Sequence, residues 1–456
     1  MSTVSWEVEI PHPPSAVFDW YESTGSFDRL MPPWEVSEVV RADNTLEDGA
    51  QRVFRFPFGP IKMTWVAEHL NYDPPNKFED VMRKGPFRSW HHTHRFIAIE
   101  TGTRQIDEVT YELPMWALGR LVAGRSIRKR LDRMFKARKL RMSRDMSRHS
   151  DFSDKPRMKV LVTGSSGLIG RELCAFLDTG KHEVWNLVRR RPRTEHEIEW
   201  NPDEGKLDAS KVEGFDAVIH LAGYPVANKR WTRKVKDAIM NTRVKSTTLI
   251  SDTIAGLSDP PSVFLCASAI GFYGNRGEEG LDESSQPGEG YLADVSRKWE
   301  GCTKSASDAG IRTCLLRTGI VLSARGGALR KMLPAFKLGA GGPMASGKQW
   351  MSWISIDDEI YAIHHLMMNE GCEGAHNLTA PEPVPNRTFT KNLGKVLRRP
   401  AFAPLPGFVM RLMFGERAGP LMIEGQRVMP QKLQDSGYIF THEVLDDALR
   451  DVLGLW

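Results

Sequence analysis

Cysteine is scarce in this chain, and long apolar runs are absent from it. The 456 residues include five cysteines, and no two of them form a CxxC pair. This usage indicates neither a disulfide framework nor a zinc site and is typical of a reducing compartment. No apolar run approaches the roughly 18 residues of a membrane span, and residues 1–11 carry Glu7 and Glu9 where a signal peptide has its apolar core. We therefore expect a cytoplasmic protein without a membrane span.

Positive charge is concentrated in one segment. The chain has a net charge of +5, yet residues 120–148 alone carry twelve Lys and Arg against Asp132 and Asp145. The run lacks the interleaved exposed aromatic residues on which nucleic-acid bases stack. Its apolar residues recur at helical spacing, which is typical of an amphipathic helix with a solvated basic face. We therefore expect no nucleic-acid partner.

The chain is long enough for two or three domains. Residues 149–157 are polar, include Pro156 and show no periodicity, which is typical of a linker. Before the linker, residues 1–148 alternate apolar and polar side chains, and after it strands alternate with helices. We therefore predict an α+β domain at 1–148, an α/β domain with a doubly wound parallel sheet at 158–385 and a small helical C-terminal domain at 386–456.

The first domain is predicted to contain a curved antiparallel sheet. A strand over residues 4–10 is followed by a short helix at 15–21, and a long helix runs from about Pro114 to Met146. Such a helix can lie across the sheet and leave a cavity between them. Further strands are predicted at residues 35–41, 51–57, 61–69, 77–83, 88–98 and 104–113.

Several phrases of this segment resemble one superfamily. They are LMPPWE (30–35), WVAEHLNYDPPNKF (65–78), GPFRSWHHTHRF (85–96) and YELP (111–114). They are similar to the START-like (polyketide cyclase/dehydrase, or SRPBCC) helix-grip superfamily. The resemblance implies a cavity for a hydrophobic ligand. Seven aromatic residues either line that cavity or fill the core: Trp34, Phe54, Phe56, Trp65, Trp90, Phe96 and Trp116.

Three histidines lie along one predicted strand of this domain. They are His91, His92 and His94, of which His92 and His94 share a face because side chains alternate along a strand. Two histidines without a cysteine or carboxylate beside them make a poor metal site. We therefore expect them to be structural or solvent-facing and expect no bound metal.

A glycine-rich loop opens the second domain. Gly164, Gly167 and Gly170 follow the apolar run at 160–162 and precede a helical pattern. Glycine lets the backbone turn sharply and approach a pyrophosphate, to which the following helix offers its N-terminal N–H groups. The sequence therefore predicts dinucleotide binding by Gly164, Ser165, Ser166, Gly167, Leu168, Ile169 and Gly170. Leu221, Ala222 and Gly223, at the end of a later predicted strand, are expected to flank the same cofactor.

The second predicted strand of this domain, residues 183–188, ends in Arg189, Arg190 and Arg191. In dinucleotide-binding domains an acidic residue at this point binds the ribose of NAD, and arginine accommodates the 2′-phosphate of NADP. We therefore predict that Arg189 and Arg190 select NADP(H) over NAD(H). The alternative is a solvated basic turn without a ligand.

The rest of the chain resembles an extended short-chain dehydrogenase/reductase. AGYPVANKRWT (222–232), SAIGFYG (268–274), RTGIVLSARGGALRKMLPAFKLGAGGP (317–343) and EGQRVMPQKLQDSGY (424–438) are similar to its atypical epimerase-family branch. Members of that branch carry a small C-terminal domain of unknown function. The resemblance implies a Rossmann fold and hydride chemistry with a nicotinamide cofactor, and it leaves the substrate open.

One departure from that superfamily concerns catalysis. Its members use a tyrosine and a lysine four residues apart, but in GYLADVSRKWEGC (290–302) Val295 stands four residues after Tyr291. Without a nearby cation, a tyrosine with a pKa near ~10 is almost wholly protonated at neutral pH. The remaining candidates are Ser268, which can donate to a substrate carbonyl, Tyr273 as an acid and Arg243 as a positive charge.

Two hypotheses fit these observations. The first is an NADP(H)-dependent oxidoreductase, epimerase/dehydratase-like or reductase-like, that acts on a small molecule and carries a fused domain for an apolar ligand. The second is a non-catalytic module that senses NADP(H) or a ligand. The missing Tyr-x-x-x-Lys pair favours the second hypothesis, and the glycine loop fits both.

Overall fold

The computed structural model describes residues 1–35, 38–58, 61–113 and 116–456. The chain divides into two compact units. The first unit comprises Met1–Ser153 with Ala175–Lys181, and the second comprises Asp154–Cys174 with His182–Trp456.

The described part of the first unit contains an antiparallel sheet of seven strands in the order β1-β7-β6-β5-β4-β3-β2. Its strands are Ser2–Ile10 (β1), Glu38–Ala42 (β2), Gln51–Phe58 (β3), Ile61–Asp73 (β4), Lys77–Lys84 (β5), Ser89–Ile99 (β6) and Gly102–Glu112 (β7). Its helices are Pro14–Glu22 (α1), Ser26–Leu30 (α2) and Trp116–Ser150 (α3). Each of these strands overlaps a predicted one, and the predicted α+β plan is confirmed. Val36, Ser37, Pro114 and Met115, which fall within predicted elements, lie outside the described residues.

Helix α3 packs its apolar face on the sheet. Leu131, Phe135 and Met142 are buried at the predicted helical spacing, and the Phe135 ring stacks on Trp6 of β1 with 3.9 Å between centroids. Lys129 and Lys136 are exposed, whereas Arg141 is buried and Arg138 lines a cavity. The helix therefore has the predicted apolar face, but its basic residues are only partly solvated.

The second unit is built around a largely parallel sheet. Its strands are Lys159–Thr163 (β8), Glu183–Val188 (β9), Glu197–Asn201 (β10), Lys206–Leu207 (β11), Ala217–His220 (β12), Val263–Ala269 (β13), Gly280–Leu281 (β14), Arg312–Thr318 (β15), Ile320–Leu322 (β16), Trp350–Met351 (β17), Trp353–Ser355 (β18), Gly374–Leu378 (β19), Val384–Pro385 (β20) and Arg427–Val428 (β21). Its helices are Leu168–Thr179 (α4), Arg233–Ala255 (α5), Tyr291–Gly301 (α6), Lys304–Asp308 (α7), Gly327–Lys337 (α8), Ile356–Met368 (α9), Asn386–Leu397 (α10), Gly407–Phe414 (α11), Gln431–Asp435 (α12) and Leu445–Leu453 (α13).

The order of the main sheet is β11-β10-β9-β8-β12-β13-β15-β19. Neighbouring strands from β10 to β19 are parallel, and β11 is an antiparallel edge strand. The chain runs outward from β8 to β10, returns to β12 and then runs outward on the other side. In this doubly wound topology ligands bind where the order reverses, outside the carboxyl ends of the strands. Here that point lies between β8 and β12.

The C-terminal helices complete a core of the second unit. Phe389 and Leu393 of α10 pack with Leu445 and Leu449 of α13 and with Leu333 of α8. All five cysteines are free. Among the described helices, none has both the length and the apolar character needed to cross a membrane.

Candidate functional site

The glycine loop lies at the predicted point of the sheet. It leaves the carboxyl end of β8 and enters α4 at Leu168, and the end of β12 runs beside it. Thr163 joins the two, since its Oγ1 accepts the backbone N–H groups of Leu221 at 3.1 Å and Ala222 at 3.2 Å. The structure therefore brings the predicted segments 164–170 and 221–223 together.

Two glycines of the loop have no room for a side chain. Gly164 has a φ of +73°, and a Cβ there would lie 2.9 Å from the backbone carbon of Leu221. A Cβ on Gly170 would lie 2.3 Å from the carbonyl oxygen of Gly164. Ser166 and Gly167, at the tip, are exposed. The backbone is thus open to a ligand at the start of α4, where N–H groups and the helix dipole favour a phosphate.

A buried hydrogen-bonded chain holds the end of β12 in place. The hydroxyl of Thr163 lies 2.7 Å from Nδ1 of His220, and Nε2 of His220 lies 3.1 Å from the hydroxyl of Ser246. Because Thr163 accepts two backbone N–H groups, its own proton goes to Nδ1, and Nε2–H donates to Ser246. Burial lowers the pKa of His220 to about 3, so this imidazole is neutral and structural at neutral pH.

The arginines after β9 divide into two roles. Arg190 forms a bidentate pair with Glu197 of β10, with N–O distances of 2.8 and 2.6 Å. Arg189 is exposed and has no hydrogen-bonding or ionic partner within the described residues. Of the two predicted phosphate ligands, Arg189 is therefore the one whose guanidinium is available.

A polar cluster lies at the carboxyl ends of three neighbouring strands. Ser268 of β13, Arg317 of β15 and Asn377 of β19 stand side by side in register. Glu300 of α6 accepts from the hydroxyl of Ser268 at 2.6 Å and from the guanidinium of Arg317 twice, each time at 2.9 Å. Sequence reasoning missed Glu300 and Arg317, because nothing in the spacing of an α6 residue and a β15 residue indicates that they meet.

Tyr273 belongs to the same cluster and is fully buried. Its hydroxyl donates to Asn377 at 2.7 Å and accepts from Arg317 at 2.9 Å. Burial raises the pKa of Tyr273 to about 12, although the charge of Arg317 opposes the rise. Ser268 and Tyr273 are thus brought together, but each hydroxyl already has protein partners.

Arg243 lies apart from that cluster, beside the end of β12. A Cβ on Gly223 would lie 3.2 Å from its guanidinium carbon, and the guanidinium donates to the carbonyl oxygen of Tyr224 at 3.0 Å. Burial lowers the pKa of Arg243 to about 10, while Tyr291 opposes the fall. Tyr291 is partly exposed, and burial raises its pKa to about 12 against the charge of Arg243. The structure therefore places a tyrosine and a cation near each other, beside the carboxyl end of β12.

The first unit encloses a cavity of about 400 Å³ between its sheet and α3. Four of the seven aromatic residues line it, namely Phe54, Phe56, Trp65 and Trp90. Phe96 packs instead in the core against Phe18 and Tyr21. Trp34 is half-buried outside the cavity lining, with the guanidinium carbon of Arg133 5.2 Å from its ring centroid, and the side chain of Trp116 lies outside the described part of the chain. Both alternatives for these rings are thus realised, at different positions.

The expectation that no carboxylate lies beside the histidines is wrong. Asp80 of β5 pairs in register with His92 of β6, and His94 pairs with Asp107 of β7. His92 and His94 are buried rather than solvent-facing, with 4 % and 7 % of their side chains exposed. Although burial opposes its charge, the two carboxylates raise the pKa of His92 to about 9. Strand pairing, which a single sequence does not reveal, brings these four residues together.

Three family models match the chain. Residues 10–137 match the polyketide cyclase / dehydrase and lipid transport family, residues 160–378 match the NAD dependent epimerase/dehydratase family, and residues 405–452 match a domain of unknown function.

Relatives support the same division. An epimerase family protein of Mycobacterium tuberculosis, MT2273, is 39% identical over 290 residues, which are 64% of this chain and 96% of the relative. The crystal structure of the nucleoside-diphosphate sugar epimerase of Corynebacterium glutamicum is similar over 100% of this chain and 90% of its own, with 32% identity and a TM-score of 0.81. The human epimerase family protein SDR39U1, crystallised with NADPH, is 31% identical and covers 65% of this chain and 99% of its own, with a TM-score of 0.61.

Proposed function

The chain belongs to the NAD dependent epimerase/dehydratase family, and we propose that it is an oxidoreductase that uses NADP(H) in preference to NAD(H). The observation that carries the preference is the exposed, unpaired Arg189 after β9, at the position where a 2′-phosphate is recognised. The human relative crystallised with NADPH supports it. Five free cysteines support a reducing compartment, the cytoplasm.

The residues of the glycine loop fit such a cofactor. The backbone of 164–170 would hold the pyrophosphate. Gly164 and Gly170 have no side chain that would keep the pyrophosphate away from this backbone. Arg189 would hold the 2′-phosphate, with Arg190 beside it and fixed by Glu197, while Leu221–Gly223 would flank the cofactor. When bound, NADP(H) supplies hydride transfer at its nicotinamide.

Proton chemistry then falls to the chain's own side chains. Ser268 and Tyr273 would have to exchange a protein partner for the substrate, since Glu300 and Asn377 accept their protons. Tyr291 likewise donates to a protein group, the carbonyl oxygen of Lys236 at 2.6 Å, but unlike Tyr273 it is partly exposed and lies within the electrostatic reach of Arg243. We therefore propose Tyr291 as the donor to the substrate oxygen, Arg243 as the charge that supports it, and Ser268 with Tyr273 as the polar wall of the site.

The cavity of the first unit supports an apolar ligand. Its lining is mainly aromatic and aliphatic, as in most small-molecule pockets. Native mass spectrometry of the full-length protein should release NADP(H) and a second, apolar molecule. Ala67→Phe, which narrows the cavity, should lose only the second molecule, whereas Ala98→Phe at an exposed position of β6 should keep both.

Arg189→Asp tests the cofactor preference. Loss of a charge-assisted contact should lower the affinity for NADPH by about ten- to hundredfold, while the affinity for NADH stays nearly unchanged. Arg193→Asp, an equal charge change at an exposed residue of the same segment, should affect neither cofactor. Equal weakening of NADPH and NADH by Arg189→Asp would contradict the assignment.

The second hypothesis, a module that senses NADP(H) or a ligand without catalysis, is favoured by one observation. Val295 and the buried Tyr273 leave the site without the usual tyrosine–lysine pair. Turnover assays with nucleoside-diphosphate sugars and small carbonyl compounds distinguish the two. An enzyme should lose turnover in Tyr291→Phe and keep its NADPH affinity. A wild-type protein that binds NADPH and turns over no member of the panel would support sensing.

A further inference from the structure

His92 and His94 each lie between the carboxylates of Asp80 and Asp107. Oδ2 of Asp80 lies 3.0 Å from Nδ1 of His92 and 3.6 Å from Nε2 of His94. One donor atom from each of these three residues lies within 4.8 Å of the others. We propose that Asp80, His92 and His94 bind a divalent transition-metal ion of the zinc class. This site is independent of the NADP(H) function proposed for the second unit.

The donor separations match what such an ion needs. Bonds of about 2.0–2.2 Å from nitrogen and oxygen to a tetrahedral Zn²⁺ place neighbouring donors roughly 3.3–3.6 Å apart. The two distances from Asp80 Oδ2, 3.0 and 3.6 Å, lie close to that range, and the two imidazole donors lie within 4.8 Å of each other, so small side-chain rotations would place all three donors around one ion. The ion would take the place of the protons that the imidazole nitrogens turn toward Asp80.

Asp107 provides the outer support that metal-bound histidines usually have. Its Oδ1 lies 3.2 Å from Nε2 of His92 and 2.7 Å from Nδ1 of His94, the two ring nitrogens that face away from Asp80. A carboxylate at the far nitrogen fixes the tautomer and the ring orientation of a ligating histidine. Gln105 donates to the other oxygen of Asp107 at 3.1 Å and so holds it in turn.

The three ligands stand on rigid elements and face open space. They lie on the neighbouring strands β5 and β6, paired in register, and all three line the cavity of about 400 Å³. Asp107, in contrast, is not part of the lining and lies behind them. Three protein ligands with a further position open to a cavity are typical of sites that bind water or an exogenous ligand.

The donor set and the charges narrow the class of ion. Two imidazoles and one carboxylate suit Zn²⁺, Fe²⁺ or Co²⁺, whereas Ca²⁺ and Mg²⁺ prefer oxygen ligands. Arg52, Arg130 and Arg138 also line the cavity and oppose a cation. Arg130 is paired with Glu35, and Asp80 and Asp107 balance the charges of the other two. Arg138 donates to the carbonyl oxygen of Leu30 at 3.3 Å but forms no ion pair with a carboxylate of the described residues, so its charge can meet an anionic group on a ligand of the metal.

The test is a metal titration of the full-length protein. After treatment with a chelator and dialysis, it is titrated with Co²⁺ and then with Zn²⁺. We expect one Co²⁺ per chain with the intense visible absorption of a low-coordinate ion, displaced by one equivalent of Zn²⁺. Asp80→Asn and His94→Gln should abolish that absorption, and Asp107→Asn should weaken metal affinity by about ten- to hundredfold.

His91→Gln is the matched control. His91 is the residue before His92 on the same strand, but it points to the opposite face, is half exposed and pairs with Glu79 at 2.7 Å. It should bind Co²⁺ as the wild type does. Where circular dichroism shows that a ligand variant has not folded, X-ray absorption of the wild-type Zn²⁺ form decides, and it should show two imidazoles. No binding by the wild type at micromolar metal, a shell without two imidazoles, or binding retained by folded Asp80→Asn would overturn the proposal.

Discussion

Gly164→Ala measures how closely the backbone of β8 approaches the end of β12. An alanine at the φ of +73° costs roughly 1–2 kcal/mol, because its Cβ crowds the following carbonyl. The added Cβ would also lie 2.9 Å from the backbone carbon of Leu221 and 3.0 Å from the backbone nitrogen of Ala222. These atoms belong to the chain and cannot rotate away, and overpacking of this kind costs about 1–3 kcal/mol. We therefore expect a loss of about 2–5 kcal/mol in the free energy of unfolding.

Gly205→Ala separates the two causes. Gly205 has a similar φ of +65°, but nothing lies within 4 Å of its added Cβ. It should therefore lose only the conformational part, roughly 1–2 kcal/mol, and keep its affinity for NADPH. Urea denaturation gives the stabilities, and fluorescence titration gives the NADPH affinity, which should fall at least about tenfold in Gly164→Ala if β12 moves. Equal stability losses and unchanged NADPH affinity in both variants would refute the reasoning.

Two further predictions concern buried charges. Arg317→Ala leaves Glu300 buried without its cation and should cost about 3–5 kcal/mol in urea denaturation; Arg190→Ala, at an exposed pair, should change stability little, and equal effects would contradict the account. Burial raises the pKa of Glu359 to about 8, so its contribution to stability is complete below about pH 4.3 and is lost as pH rises toward 8. The melting temperature should therefore fall less between pH 5 and pH 8 in Glu359→Gln than in the wild type. An equal fall in both proteins would show that Glu359 does not cause it.

Alternation of side chains predicted the strands of the first domain well, because most of them have one face on a core and one in water. The edge strand β2, with four of its five residues exposed, is the exception. In the second domain several strands escaped this reasoning, among them two five-residue strands of the main sheet. Strand β10, Glu197–Asn201, carries two glutamates, and β19, Gly374–Leu378, contains glycine, histidine and asparagine, of which His376 and Asn377 are buried. Their place in the sheet is set by pairing with β9 and β15, so tertiary context overrides their weak local preference.

The functional residues also divide into those that the sequence predicted and those that only the structure brought together. The glycine loop could be predicted because its chemistry depends on residues next to one another in the chain. Asp80 lies twelve residues before His92 and meets it only through the register of β5 and β6, which the turn between these strands decides. Glu300 and Arg317 likewise meet across α6 and β15. Local motifs therefore predicted the glycine loop and its place after β8, and the clusters built by strand pairing required the structure.

The environment of the tyrosines bears on the proton transfer of the proposed reaction. Burial raises the pKa of Tyr273 and of Tyr291 to about 12, so both hydroxyls stay protonated at neutral pH. Ionising Tyr273 at pH 7 would cost about 7 kcal/mol, since each pKa unit corresponds to about 1.4 kcal/mol. A tyrosine base for the oxidation of an alcohol therefore starts at a disadvantage that a lysine partner would normally reduce. Donation of the same proton to a carbonyl oxygen during reduction would leave the same tyrosinate, so the raised pKa opposes the proton transfer in both directions and favours neither.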